Sequence, residues 1–460
     1  MGRIWAVARQ TISEGIRMKI ALVFIAVAVL LIGVLPFSIQ GDGVTIKSRI
    51  QSFLAYSLGL ITFLLSMLTV FLSCATLSNE IRLKQIFMIT SKPIPRWQVV
   101  MGKWAGICTL NTALLLLTWL GVWGATLYLS RLETTVPGDD KAVQEEILTV
   151  RHAMKPEPPD FDALTEQRVR ALQEEGRLDD VPPSEMPQVR STLYNELQFA
   201  YKRYEPREVR DLVFRGLIID REAEGWVLLQ IKPEAPSGVD DVEFTLGVLA
   251  GDPNERETLQ GLNVADYIAD RVHLIPIPNS AINSNGDLFV RLANLSEREP
   301  VAFEDDGSLE LLYNAATFHW NVFRALSLLW CQLAFLATVG LAASTFLSFP
   351  VACMGCLLVL ATASMGGFLE DAVGWVSPSD YEGDMLGIFG PVIRPAAHAF
   401  VWMVPDFSKY NPIGNVVGGR VVTLKWVVQG LIVLVGIKGL VLAGLGCLVF
   451  TKRELGQMTA

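Results

Sequence analysis

ALSLLWCQLAFLATVGLAASTFLSFPVACMGCLLVLATASMGGFL, residues 325–369, contains no charged side chain. A helix of about 20 apolar residues crosses about 30 Å of hydrocarbon, so this stretch is long enough for two crossings. Ser348, Phe349 and Pro350 interrupt it, because a proline inside a helix removes a backbone hydrogen bond. We predict two membrane helices here, over residues 325–347 and 350–369, joined as a tight hairpin.

Other apolar runs of similar length extend the pattern to both ends of the chain. The mean hydropathy is +0.38, half of the residues are hydrophobic (51%) and only 18% are charged. The first run is longer than the core of a signal peptide and has no small-residue cleavage site after it, so we interpret it as a permanent span. With the hairpin, these runs predict six transmembrane helices; the others cover residues 20–39, 52–78, 104–130 and 426–450.

Basic residues predict the orientation, since they favour the cytoplasmic side of a membrane. They cluster before the first span, between the second and third spans, and after the last span. An even number of spans places all three clusters on one side. We therefore expect both termini in the cytoplasm and residues 131–324 outside it.

Residues 131–324 form a large insert between the third and fourth spans, and the acidic excess of the chain lies there. The insert contains no cysteine, which excludes a disulfide framework. Residues 141–203 are predicted helical. Apolar residues alternate with period two across residues 212–313, which predicts strands of a β-sandwich. The expected fold is an α-helical polytopic membrane protein with an extracytoplasmic α+β insert.

Two cytoplasmic segments are candidates for contact with a partner. Residues 1–19 place Ile4, Trp5 and Ala8 at helical spacing, which predicts a basic amphipathic helix in the membrane interface; the alternative is a plain lead-in that only sets the topology. Residues 79–103 combine a basic cluster with a Pro-x-Pro elbow, which ends any helix before it. Such a stiff segment suits force transmission, but a topogenic loop explains the same charges, and both interpretations stay open.

The rest of the membrane region offers weaker signals. Lys438 lies near the centre of the last span, where a charge is costly and faces either a pathway or a partner; we favour a structural pair. Cys353 and Cys356 have the spacing of a redox or metal pair, but no second pair accompanies them, so helix packing is favoured. Residues 370–425 are predicted to form an external segment with short interfacial helices, acting as a lid or simply as a covering loop.

Several kinds of chemistry are not indicated. The sequence contains neither a G-x-x-x-x-G-K-[ST] loop for phosphates nor an H-E-x-x-H motif, so we expect no enzyme activity, no ATP site and no cofactor in this chain. The acidic balance argues against nucleic-acid binding.

The order of several motifs resembles that of the membrane subunits of ABC-2 type transporters, in the branch that includes multicopper-enzyme maturation permeases. The resemblance covers most of the chain. It is carried by IWAVARQTISEGIR (4–17), LSNEIRLKQIFMITSKPIPRWQVVMGKW (77–104), YEPREVRDLVFRGL (204–217), NGDLFVRLAN (285–294), DFSKYNPIGNVVGGRVV (406–422) and FTKREL (450–455).

This resemblance implies a permease subunit in the bacterial cytoplasmic (inner) membrane, working with a separate cytoplasmic ATPase subunit and a second permease subunit. The lead helix and the segment after the second span would contact the ATPase, which would bind the ATP. The alternative is a non-transporting membrane anchor or sensor with an extracytoplasmic ligand-binding domain. The substrate and the direction of transport do not follow from the sequence. The candidate coupling residues are Glu80, Arg82, Lys84, Lys92, Arg96 and Trp97, with Lys438 as the intramembrane charge.

Overall fold

The computed structural model of the protein divides into two compact units. The helical unit contains residues 1–150 and 316–460, and the insert unit contains residues 151–315. The structure describes residues 2–17, 19–39, 41, 45–82, 95–132, 139, 143–178, 182, 186–217, 219, 225–235, 242–304, 307–366 and 405–452.

Helices dominate the chain. Two of them, α5 and α6, belong to the insert unit, and the others belong to the helical unit. The helices are α1 (Gly2–Arg17), α2 (Lys19–Ser38), α3 (Ile46–Arg82), α4 (Arg96–Leu129), α5 (Phe161–Glu174), α6 (Met186–Tyr201), α7 (Phe318–Ser344), α8 (Phe349–Ser364), α9 (Ile413–Val417) and α10 (Leu424–Thr451).

Within the described residues, four helices are long and apolar enough to cross a membrane, namely α3, α4, α7 and α10. Helices α1 and α2 are bent by 72° at their junction and add a fifth if the pair is one broken span. Helix α8 is apolar but has only 16 residues, fewer than the about 20 needed to cross a full bilayer. The helical unit thus has the architecture of a polytopic membrane protein, while the count of six spans stays a prediction.

The centre of the helical unit is packed through small and polar side chains. A Cβ atom on Gly340 of α7 would lie 1.8 Å from Oγ of Ser73 on α3, so only glycine fits at this crossing. Between α3 and α4, the amide of Asn111 donates a hydrogen bond of 3.0 Å to Thr69. Contacts of this kind hold membrane helices together where no hydrophobic driving force exists between them.

The uncharged stretch of residues 325–369 is interrupted where the sequence indicates. Helix α7 ends at Ser344 and α8 begins at Phe349, with Pro350 in its first turn. Proline is tolerated there because the first amides of a helix have no partner within it. Helix α8 ends at Ser364, and residues 367–369 of the predicted fifth span lie outside the described residues.

The insert unit is built on two four-stranded sheets and a two-stranded ribbon. One sheet has the order β1-β10-β4-β7, the other β3-β8-β5-β6, and β2 pairs with β9. The strands are β1 (Thr149–Met154), β2 (Arg203–Tyr204), β3 (Val209–Phe214), β4 (Trp226–Ile231), β5 (Glu243–Ala250), β6 (Asn263–Ile268), β7 (His273–Pro278), β8 (Leu288–Asn294), β9 (Val301–Ala302) and β10 (Leu309–Thr317).

A single apolar core receives side chains from both sheets, as the period-two pattern predicts. Leu229 of β4, Phe244 of β5 and Val290 of β8 are all fully buried in it. Gly286 follows Asn285 and precedes β8 with a backbone φ of 81°, a left-handed conformation that glycine adopts readily in a turn. Burial on alternate positions follows from strand geometry, because successive side chains point to opposite faces.

The N-terminal part of the insert differs from the expectation of a helical stretch over residues 141–203. Strand β1 occupies Thr149–Met154 and forms the edge of a sheet beside β10. This strand pairs with a segment some 160 residues away in sequence (309 − 149), and no local pattern specifies such a pairing. Helix α5 begins after Asp160, whose carboxylate caps it by accepting a hydrogen bond from the amide of Ala163, and Gly176 follows its end with a φ of 70°.

The external segment predicted over residues 370–425 is described only from residue 405. A 3₁₀ turn at Ser408–Tyr410 and the short helix α9 precede α10. Residues 370–404 of this segment, where short interfacial helices are predicted, lie outside the described residues.

Candidate functional site

The end of the helical unit where α1 meets α4 contains the residues that the sequence singles out for coupling. We call it the α1 junction and define it by Glu14, Glu80, Arg96 and Lys103. These residues belong to α1, α3 and α4.

The lead helix α1 is docked on α4 through glycine. A Cβ atom on Gly102 would lie 2.6 Å from Cβ of Val7, and one on Gly106 would lie 2.7 Å from the carbonyl oxygen of Ala8. The two glycines are four positions apart and therefore lie on one face of α4, which lets the two backbones approach closely. Thr11 of α1 is buried at the same contact.

The packed face of α1 shares Ala8 with the predicted apolar face but leaves the large side chain of Trp5 outside. Ala8, Thr11 and Gly15 are its buried residues, whereas Trp5 and Ile16 are exposed. Small residues are needed where two helices touch, so the large apolar side chains are left on the outer surface. An exposed apolar stripe beside a basic face suits contact with lipid at a membrane interface.

A buried ion pair joins α3 to α4 directly behind this contact. Nζ of Lys103 lies 2.9 Å from Oε1 of Glu80, and both residues are less than 5% exposed. The same ammonium donates a hydrogen bond of 3.1 Å to the carbonyl oxygen of Thr76. The second carboxylate oxygen of Glu80 is buried without a hydrogen bond within the described structure.

Glu14 brings a second carboxylate to this pair from α1. It is half-buried, and burial raises its pKa above the ordinary value of 4.5; nearby Glu80 also raises the pKa, while Lys103 lowers it. Two carboxylates thus face one ammonium. The three charges sum to −1 when both acids are ionised and to zero when Glu14 holds a proton, so the junction can bind a proton.

Arg96, at the first position of α4, ties the last helix to the same end. Its Nη1 donates to the carbonyl oxygens of Phe450 and Thr451, and its guanidinium lies 5.5 Å from the centre of the Phe450 ring. The carbonyls at a helix C-terminus lack partners within the helix and carry partial negative charge, so a cation stabilises them. Phe450 is itself buried among side chains of α3, α4 and α7.

The structure therefore separates the candidate coupling residues by environment. Glu80 points inward, Arg96 is engaged with α10, and Arg82 and Trp97 are exposed at the ends of their helices. Lys84 and Lys92 lie outside the described residues. The role of all six in contacting an ATPase stays a prediction.

Sequence patterns alone do not assign two members of the α1 junction to a common site. Lys103 reads as one more basic residue of a loop, and Glu14 as a polar position on an amphipathic helix. The one local signal is the small-x-x-x-small spacing of Gly102 and Gly106 around Lys103, which marks a helix-packing face in membranes. Nothing in the sequence pairs this face with α1.

The remaining intramembrane candidates lie elsewhere in the helical unit. Lys438 is half-buried in the π-helical stretch Leu431–Gly439 of α10, a wide helical turn often found at functional sites. Sγ of Cys356 lies 3.7 Å from Sγ of Cys74 on α3. Within the described residues, no group of three histidine, cysteine or acidic side chains could hold a metal ion.

Comparison of the chain with models of protein families, with curated proteins and with solved structures finds no match. The geometry of the α1 junction and the sequence motifs are therefore the features of this chain that bear on its function.

Proposed function

We propose that the protein is the membrane-spanning permease subunit of an ABC-2 type ATP-driven transporter, working with a separate ATPase subunit. The observation that carries this proposal is the α1 junction. It ties four helices together at the end of the unit where the resemblance places the ATPase contact.

The first supporting step is orientation. Arg82 and Arg96 lie at the α1 end of the described helices, together with the basic residues of α1 itself. Basic residues favour the cytoplasmic side, so this end is the one that an ATPase would reach. On this assignment the protein lies in the bacterial cytoplasmic membrane with both termini in the cytoplasm.

The second step is mechanical. A partner that pushes on the connection between α3 and α4 acts on helices linked by the Glu80–Lys103 ion pair. Helix α1 packs on α4 at Gly102, and Arg96 donates a hydrogen bond to the end of α10. The displacement therefore reaches all four helices together, as a coupling element requires. A loop that only sets the topology needs no such buried links.

The third step is the exposed surface that remains for contact. Arg82 and Trp97 are exposed at the ends of α3 and α4, and tryptophan and arginine are enriched where proteins bind one another. The buried members of the junction would transmit the movement, while these two residues would touch the partner.

The test is co-purification with a protein that carries a phosphate-binding loop and hydrolyses ATP. The variant Arg82→Glu combined with Lys84→Glu reverses two charges of the predicted coupling segment and is expected to lower the recovered ATPase about tenfold or more. Arg131→Glu reverses an exposed charge just beyond the opposite end of α4 and is expected to leave recovery unchanged.

Equal recovery of the ATPase with both variants would refute the coupling surface. If the wild-type chain copurifies with no such ATPase, the alternative of a membrane anchor or sensor replaces the transporter. Size and composition of the purified complex distinguish the two results.

A further inference from the structure

A cavity of about 510 Å³ lies in the helical unit, between α3, α7, α8 and the segment before α10. Its volume falls within the range of small-molecule sites in proteins, about 300–1,000 Å³. One side of α3 lines it at the helical spacing of residues 59, 62, 63, 66 and 67. From Ser66 to Glu80 α3 advances about 21 Å, so the cavity is well separated from the α1 junction.

The lining combines two kinds of surface and carries no charge among the described residues. Apolar side chains come from all the surrounding elements, and hydroxyl and amide groups lie between them. The apolar members include Phe63, Met67, Leu329, Leu357 and Leu360, and the polar members are Thr62, Ser66, Gln332, Ser364, Ser408 and Asn411.

Two polar groups in this lining have hydrogen-bonding capacity to spare. Ser66 is 7% exposed and its hydroxyl makes no hydrogen bond within the part of the chain that the structure describes. Gln332 is equally buried, and its amide nitrogen donates to the carbonyl oxygens of Phe407 and Tyr410. That geometry holds the carboxamide in place and leaves its oxygen as an acceptor.

The other hydroxyls already have acceptors, and that of Ser408 donates to the carboxylate of Asp406. Thr62 donates to the carbonyl of Leu58, and Ser364 donates to that of Leu360. The hydroxyl of Ser66 and the amide oxygen of Gln332 therefore remain available to the cavity. A bound molecule can form hydrogen bonds with both groups.

We propose that this cavity binds an uncharged amphiphile, with an apolar body against Phe63, Met67 and Leu360 and a hydroxyl or carbonyl group at Ser66 and Gln332. An anionic group is excluded because the described lining supplies no positive charge, and the carboxylate of Asp406 lies behind Ser408. The inference rests on the proposed function in one respect, since it names the chemistry of a molecule that such a permease would move.

The experiment uses the full-length protein in lipid nanodiscs, because common detergents are themselves uncharged amphiphiles. The probe is a diacylglycerol with a photoactivatable diazirine in its acyl chain, compared with the matching phosphatidic acid. Saturable labelling of α3, α7 or α8 by the diacylglycerol, at least about tenfold above that by the phosphatidic acid, is the expected result. Equal labelling by the two probes would overturn the assignment to an uncharged ligand.

Two variants locate the site. Ala361→Trp fills the cavity from an exposed position of α8 and is expected to abolish saturable labelling. Ser66→Ala removes one hydrogen bond and is expected to weaken binding about three- to tenfold. The control Thr109→Phe adds bulk to an exposed position of α4 outside the cavity and is expected to change nothing. Labelling that survives in Ala361→Trp would refute the site.

Recovery of the ATPase by the same variants separates this inference from the proposed function. A variant that loses the probe but keeps the ATPase supports a ligand site distinct from the coupling surface. If labelling is unchanged in Ala361→Trp and ATPase recovery is normal, the ligand site is refuted and the proposed function is not. Mass spectrometry of lipids extracted from unlabelled protein then identifies the source. If the wild type retains an uncharged lipid that Ala361→Trp loses, the ligand comes from the membrane. If the wild type carries no such lipid but takes up the probe, the cavity binds an amphiphile supplied from outside.

Discussion

Loss of the ammonium of Lys103 is expected to destabilise the helical unit strongly. In Lys103→Met, the carboxylate of Glu80 stays buried, with neither the ion pair at 2.9 Å nor a hydrogen bond to its second oxygen. Removing one partner of a buried pair costs about 3–5 kcal/mol, because the other charge is left in a poorly polarisable environment.

The opposite change, Glu80→Gln, is expected to cost less, about 1–3 kcal/mol. The amide oxygen of glutamine still accepts a hydrogen bond from Lys103, which also keeps its bond of 3.1 Å to Thr76. In the double variant no charge is buried alone, so its loss should be smaller than the sum of the single losses. The coupling free energy from this cycle is expected to be about 2–3 kcal/mol.

The assay is reversible unfolding in mixed micelles. It gives the free energy of unfolding of the wild type, the two single variants and the double variant. Arg131→Met, which alters an exposed charge beyond the far end of α4, serves as the control and should shift the free energy by less than about 0.5 kcal/mol. If the losses in free energy of unfolding of the two single variants add without coupling, the ion pair does not hold α3 to α4. The proposed transmission of movement through the α1 junction is then refuted.

Three further outcomes follow from the helical unit. Gly106→Val places a side chain against the backbone of α1 and should release that helix to limited proteolysis, whereas Gly124→Val, on the same helix with open space around it, should not; equal cleavage of both variants contradicts the docking. Because the folded-state pKa of Glu14 is raised, the free energy of unfolding of the wild type should fall as the pH rises from about 4.5 through that pKa. Glu14→Gln should remove this fall and be the more stable form at pH 7. If the stability curves of the two proteins run parallel between pH 4 and 8, the pKa of the Glu14 carboxyl is not raised. A membrane-permeant oxidant should join Cys74 to Cys356 in a disulfide, since their sulfur atoms lie 3.7 Å apart, and mass spectrometry of peptides should detect the link; its absence would mean that α3 and α8 do not meet there.

Much of the architecture follows from local patterns. Long uncharged runs predict helices because only a helix satisfies its own backbone in hydrocarbon, and α3, α4, α7 and α10 lie where those runs occur. Alternation predicts the core strands β4, β5 and β8, because one face of each is buried. Strand β1 was missed, since its pairing with β10 depends on a distant segment.

The sequence predicts some residues of the candidate site but not their environment. Basic residues and the Pro-x-Pro elbow drew attention to residues 79–103, and Glu80 and Arg96 do lie at the α1 junction. Which of these side chains face inward did not follow, because their burial depends on neighbouring helices. Arg96 reads as a surface cation until the end of α10 is placed against it.

Local sequence patterns are enough to predict apolar helices of membrane-spanning length, an acidic insert with β structure, and the segments where basic residues concentrate. These properties depend on composition and on periods of two or 3.6 residues, which act within one element. Packing of separate helices brings Glu14, Glu80 and Lys103 together at one site and places Ser66 and Gln332 around one cavity. Burial and pairing arise when separate helices pack, and the energy of a charge or a hydroxyl depends on which neighbours that packing supplies.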